Sequence, residues 1–409
     1  MAGEIAGAVA EDFRRARLQG RLQALALVAP LLFFILVTFA APIAAMLTRS
    51  VYNPEFAEIL PDTVAALGDW DRAGPPGEPV FAALAADLVR AREAGTATRA
   101  ATRLNFEYAG GRSLLTQAAR EAGNLKPPYT EAFAALDPRW RSVETWAAIA
   151  LAGERFTATH YLAAADLRYA PDGGIIAEQE ENQIYVTLFL RTLWVAGLVT
   201  LLTLILGYPV AYVLAHLPLK MSNLLMILVL LPFWTSLLVR TTSWIVLLQG
   251  QGVINSLLVG IGLVPDAQRL ELIYNATGTT VAMTHILLPF MILPLYSVMR
   301  TISPAYVRAA QSMGATPLVA FLRVYAPLTV PGAGAGALLV FILAMGYYIT
   351  PALVGGRTGQ LISNMIAYHM QSSLNWGLAA ALGGVLLAGV LALYFLYARI
   401  VGIERMRLA

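Results

Sequence analysis

The sequence predicts an all-α integral membrane protein with six transmembrane helices and a mostly helical extracytoplasmic insertion. Three observations predict it. The chain of 409 residues is 58% hydrophobic and 13% charged, too apolar for a soluble protein of that length to cover its core with polar surface. Six apolar stretches are long enough to cross a bilayer, which takes roughly 20 residues; they lie near 24–48, 187–215, 222–248, 277–299, 332–354 and 376–399. Charge is segregated as well. Residues 50–182 hold 19 of the 25 acidic and 12 of the 28 basic residues, a net of −7, and the remainder carries a net of +10. A basic remainder divided among span flanks marks cytoplasmic membrane edges and not a nucleic-acid surface.

Residues 1–23 form a basic cytoplasmic segment. Arg14, Arg15, Arg17 and Arg21 precede the first span, residues 24–48, and place the N-terminus inside. An apolar run of about 25 residues exceeds a signal-peptide core, so it reads as an uncleaved anchor. Residues 49–184 form the extracytoplasmic domain, with turn signals at Gly74-Pro75-Pro76-Gly77, Lys126-Pro127-Pro128 and Pro171-Asp172-Gly173-Gly174. Helices are expected near 80–94, 112–122 and 140–169, and about 130 residues suffice to bury a small core. The domain is either a contact surface for a substrate-binding protein or an insertion that packs on the outer loops. Residues 185–405 supply the other five spans. Lys220, the 300–331 loop with Arg300, Arg308 and Arg323, and the C-terminal Arg399, Arg405 and Arg407 then all fall on the cytoplasmic side.

The segment Thr301–Gly332 has the grammar of two short helices joined by a tight turn. Ser303 caps a helix that begins at Pro304, and Gly314 suits the left-handed residue that ends it. Thr316 and Pro317 repeat the start, and Pro327 is expected to stop the second helix. Tyr306, Ala309, Ala310 and Met313 share one helical face, as do Leu318, Phe321, Leu322 and Tyr325. An apolar-faced helix–turn–helix between spans suits docking on another protein; the plainer alternative is a connecting loop.

This segment resembles the cytoplasmic coupling loop of bacterial ABC-importer permeases, whose pattern is Glu-Ala-Ala, a Gly four residues on, and a later Leu-Pro. Ala309, Ala310, Gly314, Phe321, Arg323, Pro327 and Pro331-Gly332 match; Arg308 stands where the family usually has Glu, and Ala326 precedes the proline. Two further stretches are similar to permeases of the spermidine/putrescine type. Residues 231–256 match at Pro232, Trp234, Arg240, Trp244 and Gly252, and residues 344–356 at Gly346, Thr350, Pro351, Gly355 and Gly356. After Gly346 that signature commonly has a carboxylate, and here it is Tyr347. The resemblance implies a type I importer fold, alternating access, a second homologous permease (commonly making a heterodimer), a cytoplasmic ATPase dimer carrying ATP and Mg²⁺, and an extracytoplasmic substrate-binding protein. It implies ATPase contacts at Arg308, Ala309, Ala310, Met313, Gly314, Phe321, Arg323 and Pro327, with Phe321 and Met313 as apolar anchors.

The cargo is less legible. No Asp or Glu occurs from Ile184 to Pro265 or from Leu272 to Ile403, whereas moving a polycation through a low-dielectric path favours carboxylates, carbonyls or aromatic faces. Candidate path residues are Trp234, Arg240, Trp244, Tyr347, Tyr348, Thr350 and Pro351. Either a partner permease supplies the negative charge, or the cargo is amino-acid-like, opine-like or anionic, which Arg240 and Arg191 would suit. Arg240 lies about 27 Å along the third span, if that span is one straight helix. It then either lines the path or snorkels to the outer interface. Thr350-Pro351 is expected to break the fifth span, as a gate or as a packing kink. Gly332, Gly334 and Gly336 favour close helix packing.

The two lysines, Lys126 and Lys220, sit in no phosphate loop, so ATP hydrolysis is expected on a partner and no cofactor or metal on this chain. His160, His216, His285 and His369 show no metal-ligand spacing, and there is no cysteine. Two alternatives remain at this stage. A membrane-anchored receptor or enzyme with 50–182 as working domain leaves five spans unexplained. A secondary transporter usually needs intramembrane carboxylates.

Overall fold

The computed structural model describes the backbone of residues 2–401 and most side chains from Arg17 to Arg399. The side chains of Arg14 and Arg15, and Arg405 and Arg407 altogether, lie outside the described residues. The chain divides into two compact units, 1–158 and 159–409.

In the first unit, α1 (Ala2–Ile35) runs through a π turn at Leu36–Ala40 into α2 (Ala41–Arg49). Gln19–Arg49 of this helix is apolar enough to span a membrane. Seven helices follow: α3 (Glu55–Ile59), α4 (Pro61–Ala66), α5 (Glu78–Glu93), α6 (Ala97–Glu107), α7 (Gly111–Glu121), α8 (Tyr129–Leu136) and α9 (Val143–Gly153). They enclose a core in which Phe81, Phe133, Trp140 and Trp146 meet edge to face, with the Phe81–Trp146 centroids 4.6 Å apart. The Trp146 indole N–H donates to the Trp140 carbonyl at 2.8 Å, which removes the polar cost of burying it.

Polar groups hold the ends of these helices. Pro128 precedes α8 and offers no capping side chain, so the Glu78 carboxylate accepts the N–H groups of Tyr129 and Thr130 from across the domain. Asp87 is fully buried and takes both the N–H and the hydroxyl of Thr63 at 2.7 Å. The helical pattern near 140–169 is present but is not continuous. Ser142 caps α9 afresh, and α9 stops at Gly153, where an added Cβ would lie 2.7 Å from Val64.

The second unit opens with α10 (Thr159–Ala164) and the antiparallel pair β1 (Leu167–Tyr169) and β2 (Ile175–Ala177). Then come α11 (Tyr185–His216), α12 (Leu219–Leu230), α13 (Leu237–Leu248), α14 (Val253–Gly260), α15 (Ala276–Thr301), α16 (Pro304–Ser312), α17 (Pro317–Ala320), α18 (Ala326–Gly346), α19 (Ile349–Val354), α20 (Ile362–Gln371) and α21 (Trp376–Val401). Helices α11, α15 and α18 pack as the central bundle around Val199, Met283, Leu287, Met291, Leu295, Val340 and Ala344. The glycines of α18 permit that approach. A Cβ at Gly332 would meet Val298 at 2.9 Å, one at Gly336 would meet the Met291 sulfur at 2.7 Å, and one at Gly334 would meet the Tyr397 hydroxyl of α21 at 2.7 Å.

Among the described residues, six helical stretches are long and apolar enough to cross a membrane, and two of them depart furthest from the sequence boundaries. The stretch 222–248 is not one helix: α12 passes into a 3₁₀ turn at Leu231–Trp234, and Thr235 is extended before α13 begins. Pro232 withholds an N–H and the helix restarts after Ser236, so the apolar span begins at Leu237 and runs to Gly260, itself interrupted at 249–252 between α13 and α14. The fifth span starts earlier than 332, because Pro327 does not end the preceding helix. A π turn at Phe321–Tyr325 joins α17 to α18, and the whole stretch Pro317–Gly346 is helical. Widening the turn ahead of Pro327 frees the carbonyl that the ring would otherwise strike.

Candidate functional site

Two sets of residues carry the chemistry, both within the second unit. The first is the helix–turn–helix between the fourth and fifth spans. The Ser303 hydroxyl accepts the Ala305 N–H at 3.3 Å, and Thr316 caps α17 through the Val319 N–H at 3.4 Å. Gly314 has φ +92°; its N–H bonds to the Gln311 carbonyl at 2.9 Å, and the Ala315 N–H reaches back to Ala310 at 3.1 Å. This pair of bonds is a Schellman closure, which satisfies the last carbonyls of α16 and needs a residue in the left-handed region. Val307 and Ala310 turn toward the core, while Tyr306, Arg308, Ala309, Met313, Leu318, Leu322 and Arg323 are exposed, as is Pro327. Met313 is 83% exposed at the tip of the turn.

Phe321 does not fit the expectation of an outward anchor. Its ring packs against Tyr212 and Tyr325 with centroids 5.7 Å apart in each case, and against Tyr208 at 6.3 Å. Tyr325 is buried as well. The π turn rotates these two residues toward α11, so the second apolar face divides: Leu318 and Leu322 point out, Phe321 and Tyr325 point in.

The second set surrounds the end of α18. The helix stops at Gly346, Tyr347 is extended and α19 restarts at Ile349. The break thus precedes Thr350-Pro351 and is not at it. Pro351 has no N–H for the Tyr347 carbonyl, and the Ser363 hydroxyl donates to that oxygen at 2.5 Å instead. The Asn364 amide likewise serves the Tyr348 carbonyl at 2.8 Å, so the broken backbone is satisfied by protein, as irregular structure at membrane depth requires. Tyr347 and Tyr348 are not successive helix residues, so no helical angle fixes the directions of their side chains. Thr350 faces Thr241 of α13, their hydroxyls 3.3 Å apart.

Arg240 stands in the first turn of α13, directly after the interruption at Thr235, so the 27 Å offset along a continuous helix does not exist. The Trp244 indole N–H donates to His285 Nδ1 at 3.2 Å. Leu237, Gly346, Tyr347, Tyr348 and Ile349 line a cavity of about 160 Å³. Thr350 of α19 thus meets α13, the helix that also carries Arg240 and Trp244, while Trp244 itself turns to His285 of α15. Trp234 makes no ring contact among the described residues; it is exposed on the 3₁₀ turn. Arg191 donates from Nη1 to the Arg357 carbonyl at 3.2 Å and the Gln360 carbonyl at 3.4 Å, which ties it to that loop.

Sequence reasoning missed Asp166 and His285. Asp166 is buried and its carboxylate accepts three backbone N–H groups at the start of α11. It lies 18 residues before Ile184, and no local pattern announces such a cap. The signal for His285 was its solitary place in an apolar run.

A bundle of apolar helices with a broken span beside an open pocket, and an exposed helix–turn–helix between spans, is the architecture of a transport permease. Residues 187–402 match the family described as binding-protein-dependent transport system inner membrane component, and the chain belongs to that family. It is 36% identical over 200 residues to the spermidine/putrescine transport system permease protein PotB of Escherichia coli (strain K12), covering 49% of this chain and 72% of that one. To the PotB protein of Haemophilus influenzae it is 34% identical over 218 residues, covering 53% and 76%. A crystal structure of a bacterial ABC transporter involved in the import of alginate aligns with TM-score 0.45 at 20% identity, over 55% of this chain and 81% of that chain. The chain is thus a multi-pass inner-membrane permease subunit of a binding-protein-dependent importer, a transport component that works with an ATPase and a substrate-binding protein.

Proposed function

We propose that this permease carries a small amine of the polyamine-like class, couples to the ATPase dimer through 303–327, and pairs with a second, homologous permease as a heterodimer. The exposed, Schellman-closed turn at Met313 and Gly314 is the observation that carries the coupling assignment. An 83% exposed methionine between two exposed apolar helix faces is costly in water and suits a groove on a partner. Arg308, Ala309 and Arg323 border it, and the two arginines suit acidic residues on the ATPase, including where relatives usually have Glu. Ala310, Phe321 and Pro327 shape the loop from behind. ATP and Mg²⁺ belong to that partner. The basic flanks support cytoplasmic termini, with 49–184 outside as a domain that meets the binding protein and 185–405 as the permease core. The named relatives support the amine class, and Tyr347, Tyr348 and Trp244 offer aromatic faces to an ammonium group.

The test is co-purification and uptake with Gly314→Asp. At φ +92° any residue with a Cβ is less favourable than glycine, and the substitution also puts a negative charge at the tip of the docking turn, where it disturbs the partner contact without affecting membrane insertion. Uptake is expected to fall to background while the variant remains in the membrane at normal level. Normal uptake by that variant refutes the coupling assignment.

A further inference from the structure

The domain at 49–184 is acidic, yet one groove on it carries only positive charge. Residues 50–182 hold 19 acidic and 12 basic residues. Arg90, Arg99, Arg103 and Arg139 of this domain each hold a carboxylate. Arg112 and Arg120 of α7 are exposed, and among the described residues neither guanidinium forms an ion pair or a hydrogen bond.

These two arginines line one side of a groove along the α6–α7 hairpin. Arg112, Thr116 and Arg120 fall at i, i+4 and i+8 on α7 and form one row, about 12 Å from first to last. Thr98 and Asn105, on α6, face them. Two open clefts, of about 580 and about 250 Å³, share Thr98, Thr116 and Arg120 and so make the groove continuous. Arg92 lines the smaller cleft, and no Asp or Glu lines either. Both ends are pinned. Asn105 Oδ1 accepts the Arg112 N–H at 3.3 Å, and Arg92 Nη1 donates to the Arg120 carbonyl at 2.7 Å. The second bond anchors one guanidinium at the turn that carries Arg120, so like charges gather where no anion of this chain offsets them.

The spacing selects the occupant. A single phosphate or small carboxylate reaches only one end of a 12 Å row. An α-helix laid along the groove presents carboxylates at i, i+4 and i+8 with the same rise as α7. Thr98, Asn105 and Thr116 supply neutral hydrogen-bonding groups between the charges. The partner that the family description names is a binding protein. From this arrangement we infer that the α6–α7 groove docks an acidic helix of the substrate-binding protein, with Arg92, Arg112 and Arg120 as its charge contacts. The inference rests on the reading above that places 49–184 outside, and it supplies the contact surface.

The experiment measures binding of the cognate substrate-binding protein, fluorescently labelled, to the complete transporter purified through this chain in nanodiscs of neutral lipid. Wild type is compared with Arg112→Gln/Arg120→Gln, Arg112→Glu/Arg120→Glu and Arg112→Lys/Arg120→Lys. Kd is expected to rise about 5-fold in the Gln pair and more than about 10-fold in the Glu pair. The Lys pair should stay near wild type, and basal ATP hydrolysis should be unchanged in all three. The differences should vanish as salt rises from about 0.1 M to about 1 M, which shortens screening from about 10 to about 3 Å. Four outcomes overturn the inference: no binding to wild type, an unchanged Kd in the Glu pair, a defect that salt leaves in place, or a defect accompanied by loss of basal hydrolysis. A defect confined to nanodiscs of anionic lipid also overturns it, by assigning the groove to lipid headgroups. The chain has no cysteine, so Arg112→Cys tests the placement separately. No reaction with a membrane-impermeant maleimide in right-side-out vesicles strikes the outer location, and failure of the wild-type chain to bring down an ATPase strikes the importer reading.

Discussion

Removing the Asp166 carboxylate is expected to loosen the entry of the second span. The side chain accepts the N–H of Ile184 at 3.1 Å, of Tyr185 at 2.9 Å and of Val186 at 2.9 Å. These are donors that α11 cannot satisfy within itself, and the carboxylate also opposes the positive end of a 32-residue helix. Asp166 has φ 55°, so Asp166→Gly removes the carboxylate with the backbone unstrained, and Asp166→Asn keeps one acceptor oxygen in a residue that tolerates this conformation. A charged acceptor lost from three N–H groups, part of which water recovers, costs about 2–4 kcal/mol. For a unit of this size that is a fall of roughly 5–10 °C in apparent Tm. Asp166→Asn should fall about half as far, since its remaining oxygen serves fewer donors than the carboxylate. Fluorescence-detected size-exclusion chromatography of heated, detergent-solubilised protein reads the shift. An Asp166→Gly protein that melts within a degree of wild type would refute the argument that this carboxylate, and not the neighbouring apolar packing, anchors α11.

Two predictions concern the extracytoplasmic domain. Backbone hydrogen bonds from Thr130 and Tyr129 hold the Glu78 carboxyl below its ordinary value of 4.5. A depressed folded value stabilises the fold at pH above the unfolded carboxyl's titration, and that contribution disappears as pH falls through the folded one. The wild-type advantage in melting temperature over Glu78→Gln should therefore shrink from about pH 6 to about pH 3; a constant difference would contradict it. Arg103 and Glu107 form a pair at 2.6 Å with side chains only 6% and 2% exposed. Glu107→Ala alone should cost about 3–5 kcal/mol by stranding the guanidinium, whereas Arg103→Met with Glu107→Leu should be nearly neutral. A double variant as unstable as the single one would show that the ion pair itself stabilises the fold.

The spans were legible because hydropathy reports burial in lipid directly, and the caps at Ser303, Thr316 and Gly314 were legible because each acts within four residues. What the sequence concealed acts across distance. Glu78 caps α8 from about 50 residues away, and Asp166 caps α11 from beyond a hairpin. Prolines misled for another reason: a proline states which hydrogen bond is missing but not how the chain absorbs the loss. At Pro232 the helix breaks, whereas ahead of Pro327 a π turn keeps it intact. The same device occurs in the first span, where the π turn Leu36–Ala40 precedes Ala41-Pro42 as Phe321–Tyr325 precedes Ala326-Pro327. An Ala-Pro pair deep in an otherwise helical apolar run is thus a readable signal. Among the candidate path residues, type and rough location were readable, but their grouping was not, since it depends on two interruptions whose positions hydropathy does not register.

Those interruptions bear on how the proposed coupling would reach the path. From Pro317 to Gly346 the chain is one helical rod of 30 residues, about 45 Å long. One end adjoins the exposed turn at Met313, and the other is the break at Tyr347. Near the first end the π turn is clamped by rings of α11, through Tyr208 and Tyr212 on Phe321 and Tyr212 and His216 on Tyr325. A rod held there turns displacement of the docking segment into movement of its far end. At that end the continuous backbone ladder gives way to two side-chain hydrogen bonds, from Ser363 and Asn364, each worth about 1 kcal/mol. The rod is already interrupted there, so Tyr347 and Tyr348 form the joint at which displacement of the docking segment is proposed to be absorbed. On the proposed coupling, the two tyrosines offered to the cargo are therefore the residues expected to shift with the ATPase contact, which is the connection an energy-coupled permease requires.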